Sequence, residues 1–180
     1  MQHIYDAVLE EYFTPTGRLA LDTQTAYVIA LKYGVYRKKE KLLEQFRKRL
    51  KKDDFKLRSG FVGAPLLCQT LRENGMEDLA WQFLLNEEYP GWLYCVNLGA
   101  TTIWERWNSI QPDGRISENG MNSLNHYSYG SVAQFLYEDV SGIRCAEPGY
   151  RKVCFAPCIN AGMRHVRASY DSPCGEYVSE

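Results

Sequence analysis

What most constrains this chain is an alternation between helices that are apolar nearly all round and helices with one apolar face. Residues 22–36 (DTQTAYVIALKYGVY) carry apolar side chains on most sides of a helical wheel, with Asp22 placed to cap the first turn. The next stretch, Lys38 to Leu50, gathers Leu42, Leu43, Phe46 and Leu50 on one face and charge on the other. A helix of the first kind must be covered on several sides, and a helix of the second kind does the covering. The order repeats beyond the loop RSGFVGA. There Pro65 opens a short apolar helix that Gly75 ends, and Met76, Leu79, Ala80, Phe83 and Leu84 predict an amphipathic partner. Tyr89-Pro90-Gly91-Trp92 breaks that helix. A third pair is expected to begin near Thr102 and to finish with a helix over 123–139, which Gly142 stops, with a polar loop over 108–122 between them. Buried and surface helices in succession build a curved double layer, either a solenoid or a ring of hairpins. No short repeated motif supports a tetratricopeptide-type solenoid, which leaves a toroid that three hairpins cannot close.

Beyond Gly142 the pattern changes to short Val/Ile/Phe/Tyr runs (KVCFAPCI, RHVRASYD) separated by Gly and Pro. These predict a few short strands, too few for an independent fold and suited to the opening of a β-domain. The six cysteines form no C-x-x-C pair and no zinc pattern, so free, mostly buried thiols in a reducing cytoplasm are expected, with no metal and no cofactor. The N-terminal MQHIYDAVLEEYFT lacks a basic start followed by an apolar run, and no apolar stretch reaches the ~18–20 residues of a membrane span. Charge is uneven: residues 37–58 carry an excess of +7 against −8 elsewhere, for a net −1. A nucleic-acid surface would interleave that basic block with aromatic reading groups, whereas here it is the outer face of an amphipathic helix. Neither nucleic acid nor membrane is an expected partner.

The segment richest in chemistry is GATTIWERWN, residues 99–108, where Glu105 stands between Trp104 and Trp107. Indole faces stack on the C–H faces of a pyranose, a carboxylate can polarise water, and apolar surroundings tune a carboxyl for proton transfer. The same residues also read as a T-x-x-E capping box in which Glu105 bonds the Thr102 amide, and the two tryptophans as one core-facing stripe. A second cluster, GMNSLNHYSYGSV, carries His126 among Asn, Ser and Tyr. A lone histidine in that company is either a hydrogen-bonded structural group or a ligand contact. No G-x-S-x-G elbow accompanies it, and a serine triad is therefore not expected.

Together GATTIWERWN and GMNSLNHYSYGSVAQFLYEDVSGI resemble the bacterial α-L-rhamnosidases whose catalytic domain is an (α/α)6 barrel, and DTQTAYVIAL and SGFVGAP resemble the matching inner helix and loop. The resemblance implies a mainly α fold, with αα-hairpins forming part of an (α/α)6 toroid over 1–142. The start of a C-terminal β-sandwich would follow over 143–180. It also implies hydrolysis of terminal α-L-rhamnosyl linkages with inversion, acting on a rhamnose-containing glycoside. Glu105 matches the general base, His126 matches a sugar contact, and Trp104 and Trp107 flank the base as substrate-binding walls or packing.

An inverting glycosidase needs two carboxyl groups roughly 6.5–9.5 Å apart. In the family the acid lies upstream in a Gly-Asp-Trp setting, and this sequence holds no Asp-Trp pair. Asp22, Asp113 and Glu118 have no motif behind them. The expectation is therefore a C-terminal fragment of the enzyme, inactive alone. The alternatives are a non-catalytic fragment that binds sugar or self-associates through an exposed inner helix, and a different (α/α)6 glycosidase of the glucoamylase or trehalase type.

Overall fold

The computed structural model describes residues 2–160 and 162–180. The chain divides into two compact units, Met1–Gly130 and Ser131–Glu180.

The first unit is helical. Helix α1 (Gln2–Tyr12) leads by a turn into α2 (Gln24–Lys32), which forms a hairpin with α3 (Lys39–Lys52). A second hairpin follows from α4 (Ala64–Glu73) and α5 (Glu77–Leu84), and then the short α6 (Trp92–Asn97). Helix α2 packs against both α3 and α4. The apolar face of α3 is inserted completely: Leu42, Phe46 and Leu50 have no exposed surface, and Phe46 stacks on Tyr27 of α2 with ring centroids 5.6 Å apart. Leu67 and Leu71 of α4 and Ala80 and Phe83 of α5 close the second hairpin in the same way. Each of these large side chains contributes about 1.5–3 kcal/mol by leaving water. Gly75 lies between α4 and α5 at φ +69°, the stop the sequence anticipates.

The cap of α2 differs from expectation. Thr23, in extended conformation, accepts the amide of Ala26 and is the N-cap, while Asp22 accepts from Tyr27 Oη and pairs with Arg49. The wholly apolar helix is also shorter than 22–36, and none of its residues Gln24–Lys32 is exposed. The open apolar inner helix expected from the sequence is thus covered within the chain, with Thr25, Ala26, Ile29 and Lys32 only half-buried.

A polar knot fixes the start of this helix. The Gln24 amide is buried and donates to Asp53 Oδ2 at 2.9 Å and to the Lys56 carbonyl at 2.8 Å. Its oxygen accepts from the Arg58 amide at 2.9 Å and from Ser59 Oγ at 3.3 Å. All the hydrogen-bonding capacity of the amide is used, which is what makes its burial tolerable.

The expected third hairpin is absent as such. Residues 98–127 contain no helix. The helix expected over 123–139 starts at Ser128, with a 3-10 turn (Ser128–Val132), an α turn (Ala133–Phe135) and a π turn (Leu136–Val140) in succession. The polar loop is itself ordered into a small hairpin: Ile110 bridges Ile116, Gln111 N donates to the Arg115 carbonyl at 2.8 Å, and the buried Ser109 accepts from Ser117 N at 2.9 Å through its carbonyl.

The second unit holds two antiparallel two-stranded sheets. Strands β1 (Ile143–Glu147) and β2 (Lys152–Phe155) form one, and β3 (Ala168–Ser172) and β4 (Gly175–Ser179) the other. All six cysteines are free, with Cys68, Cys95 and Cys158 buried and the other three exposed. Among the described residues no helix is long and apolar enough to cross a membrane.

Candidate active site

Thr102 does not cap a helix, because no helix starts there; the capping-box reading of Glu105 is overturned by the backbone. Instead the segment 102–105 lies alongside 123–126. Glu105 N donates to the Ser123 carbonyl at 2.8 Å, Ser123 N returns a bond to Glu105 Oε2 at 3.0 Å, and His126 N donates to the Ile103 carbonyl at 2.8 Å. The Thr102 hydroxyl bonds the Leu124 carbonyl. The two motifs that stand out in the sequence are thus laced together by their backbones. Glu105 is half-buried, and among the described residues Oε2 alone of its carboxylate oxygens has a partner. One oxygen is anchored and the other is available to a water or a hydroxyl.

His126 is half-buried next to this clasp. Its Nδ1 accepts the Ser128 amide at 3.2 Å, so in the neutral ring the proton sits on Nε2, which becomes a hydrogen-bond donor. The imidazole stacks on Phe61 at 4.8 Å and on Tyr127 at 5.1 Å. Phe61 meets Tyr129 edge-on at 5.3 Å, Tyr129 stacks on Trp107 at 3.9 Å, and Trp107 meets Trp92 edge-on at 5.3 Å. The Trp92 indole N–H donates to the Tyr129 carbonyl at 2.9 Å. A continuous run of rings therefore leads from the core to the imidazole. Burial in this run pushes the Tyr129 phenol above its ordinary range and the Cys95 thiol up to about 11.

Trp104 and Trp107 are both buried, at 6% and 9% exposure, although they lie on no common helix. In this chain they are packed into the interior rather than open to solvent, Trp107 against Tyr129 and Trp92. Of the other acids considered, Glu118 is exposed, while Asp113 and Asp22 are held in ion pairs. The Arg115 guanidinium bonds Asp113 and holds its carboxyl below the usual range, and Asp22 pairs with Arg49. Among the described residues no cluster of three His, Cys, Asp or Glu could hold a metal.

Sequence reasoning missed Phe61, Tyr127 and Tyr129. Tyr127 and Tyr129 lie inside the His126 motif, and their aromatic spacing was visible. Phe61 sits far away in the chain, and only the Gly-flanked loop SGFVGAP marked it.

Residues 1–140 match the family described as bacterial alpha-L-rhamnosidase 6 hairpin glycosidase domain, and residues 142–180 match the bacterial alpha-L-rhamnosidase C-terminal domain. An α-L-rhamnosidase of Formosa agariphila is 41% identical over 159 residues, covering 87% of this chain and 17% of that protein. One from Alteromonas sp. (strain LOR) is 39% identical over 157 residues, covering 86% and 17%. Among solved structures, the Streptomyces avermitilis α-L-rhamnosidase complexed with L-rhamnose superposes with a TM-score of 0.89 at 35% identity, covering 98% of this chain and 17% of that one. The Aspergillus terreus α-L-rhamnosidase superposes with a TM-score of 0.93 at 30% identity, covering 98% and 21%. The chain thus spans about one sixth of the length of the curated relatives it matches.

Proposed function

This chain belongs to the bacterial α-L-rhamnosidase family, and we propose that it contributes the base side of a site that hydrolyses terminal α-L-rhamnosyl linkages with inversion. Residues 1–142 are then part of the six-hairpin barrel and 143–180 the opening of the C-terminal β-domain. Glu105 is the general base. Its free oxygen takes a proton from water as the water oxygen bonds to the anomeric carbon and the glycosidic C–O bond breaks. A second carboxyl group protonates the departing oxygen, as an inverting mechanism requires. No residue of this chain is assigned that second role: Asp22 and Asp113 are held in ion pairs, and Glu118 lies exposed in the loop over 108–122. His126 donates its Nε2–H to a sugar hydroxyl, and the buried Trp104 and Trp107 flank the base in sequence as packing or pocket wall.

The observation that carries this reading is the clasp between 102–105 and 123–126, which ties the segments of Glu105 and His126 together, fixes one oxygen of Glu105 and leaves the other open. The S. avermitilis structure with L-rhamnose supports the choice of sugar. The test is hydrolysis of p-nitrophenyl α-L-rhamnoside by the full-length gene product and its Glu105→Gln variant. Loss of a water-activating base lowers kcat by about 10²–10⁴-fold. An unchanged kcat removes Glu105 from the mechanism.

A second reading, sugar binding without hydrolysis, draws on the engagement of Asp22 and Asp113. L-rhamnose binding by the isolated chain with no release of nitrophenol would favour it. Self-association through the inner helix would use the half-buried positions Thr25, Ala26 and Ile29 of α2, and a monomeric mass by light scattering would exclude it.

A further inference from the structure

Phe61 is 44% exposed, a large ring left half in water on a turn where burial would be expected to stabilise it more. The turn is held firmly. Ala64 N and Gly63 N both donate to the Gly60 carbonyl, at 2.9 and 3.1 Å. Gly63 lies so close to α2 that a Cβ there would fall 2.6 Å from Thr25 Oγ1 and 3.0 Å from Thr25 Cα. Only glycine permits that approach, which seats Phe61 at a set height above α2. From there the ring lies over His126 at 4.8 Å with 22° between planes, while its edge rests on the buried Tyr129 at 5.3 Å.

The backbone bonds at His126 are in the wrong place to fix the ring alone. His126 N is tied to Ile103 and Nδ1 to Ser128, both on the main-chain side of the side chain. Two rings stack on the imidazole and set its plane, and with it the direction of Nε2–H: the largely exposed Tyr127, and Phe61, which also rests on the buried Tyr129.

We propose that Phe61 is a positioning residue: by stacking on His126 it holds the imidazole against the Ser128 amide, as an Nε2–H donor aimed at the sugar. The proposal rests on the reading of His126 as a rhamnose contact. It adds a residue from a distant loop that keeps the ring where the Ser128 amide can set its tautomer.

The experiment is two-bond ¹H–¹⁵N NMR of the imidazoles in the chain, with His126 identified through His126→Gln, beside calorimetric titration with L-rhamnose. In the unsubstituted chain His126 shows an unprotonated Nδ1 and a protonated Nε2. Phe61→Leu is expected to move this nitrogen pair toward tautomer-averaged shifts and to weaken L-rhamnose binding about fivefold, the scale of one aromatic contact. Phe61→Tyr, which keeps the ring, restores both. Phe61→Met, which keeps bulk without a ring, behaves like Phe61→Leu and stands in for it if that variant melts early. Unchanged His126 nitrogen shifts in Phe61→Leu and Phe61→Met overturn the proposal. If the unsubstituted chain binds no L-rhamnose, the nitrogen shifts alone decide the role of Phe61, and hydrolysis by the full-length gene product decides the functional reading.

Discussion

The two hairpins over 24–84 and the clasp over 102–126 are built on opposite plans. In the hairpins, position is a by-product of burial: Leu42, Phe46, Leu67 and Phe83 leave water, and the helices go where that takes them. In the clasp, Glu105 and His126 are only half-buried, and position comes from main-chain bonds between two segments with no regular structure. Burial tolerates small shifts of a helix, whereas a pair of reciprocal hydrogen bonds tolerates almost none. A stable layer supplies the free energy, and an irregular one supplies the aim.

The contrast can be broken by substitution. Phe46→Ala should cost about 3–5 kcal/mol, because a ring with no exposed surface leaves a cavity between α2 and α3, and urea unfolding of the chain measures it. Gln24→Ala should cost about 2–3 kcal/mol by the same assay, since the Lys56 carbonyl and the Arg58 amide lose a buried partner. Glu105→Gln should alter stability by less than about 1 kcal/mol, since the amide oxygen can still accept from Ser123 N, even where activity collapses. Lys48→Ala should leave the urea midpoint unchanged, because its pair with Glu44 is largely in solvent. A large loss of stability in Glu105→Gln would mean that the clasp belongs to the core after all. An unperturbed Phe46→Ala would mean that the hairpins do not carry the fold.

The same contrast explains what the sequence could tell. Periodicity reports burial, so α3, α4 and α5 were legible to within a few residues, and Gly75 and Pro65 marked their ends correctly. Asp22 misled because Asp22 and Thr23 are both good caps and only the tertiary pairing of Asp22 with Arg49 separates them. Thr102-x-x-Glu105 misled for a deeper reason. A capping box and a cross-segment clasp use the same donors and acceptors, and the partner that decides between them, Ser123, lies outside any local window. Glu105 and His126 were visible as residue types in a distinctive motif. That their two segments are bonded to each other is written in no periodicity, and Phe61, contributed by a turn before α4, still less so.

The clasp also has a consequence for how such a site can change over time. Because 102–105 and 123–126 are fastened to each other, the stretch 106–122 is a closed excursion whose two ends do not move. Doubling the length of such an excursion costs only about 0.6 kcal/mol in closure entropy. The small hairpin at Ile110 and Ile116 is therefore an exchangeable insert. It can be lengthened, recharged or rebuilt while the bonds that hold Glu105 to Ser123 stay in place.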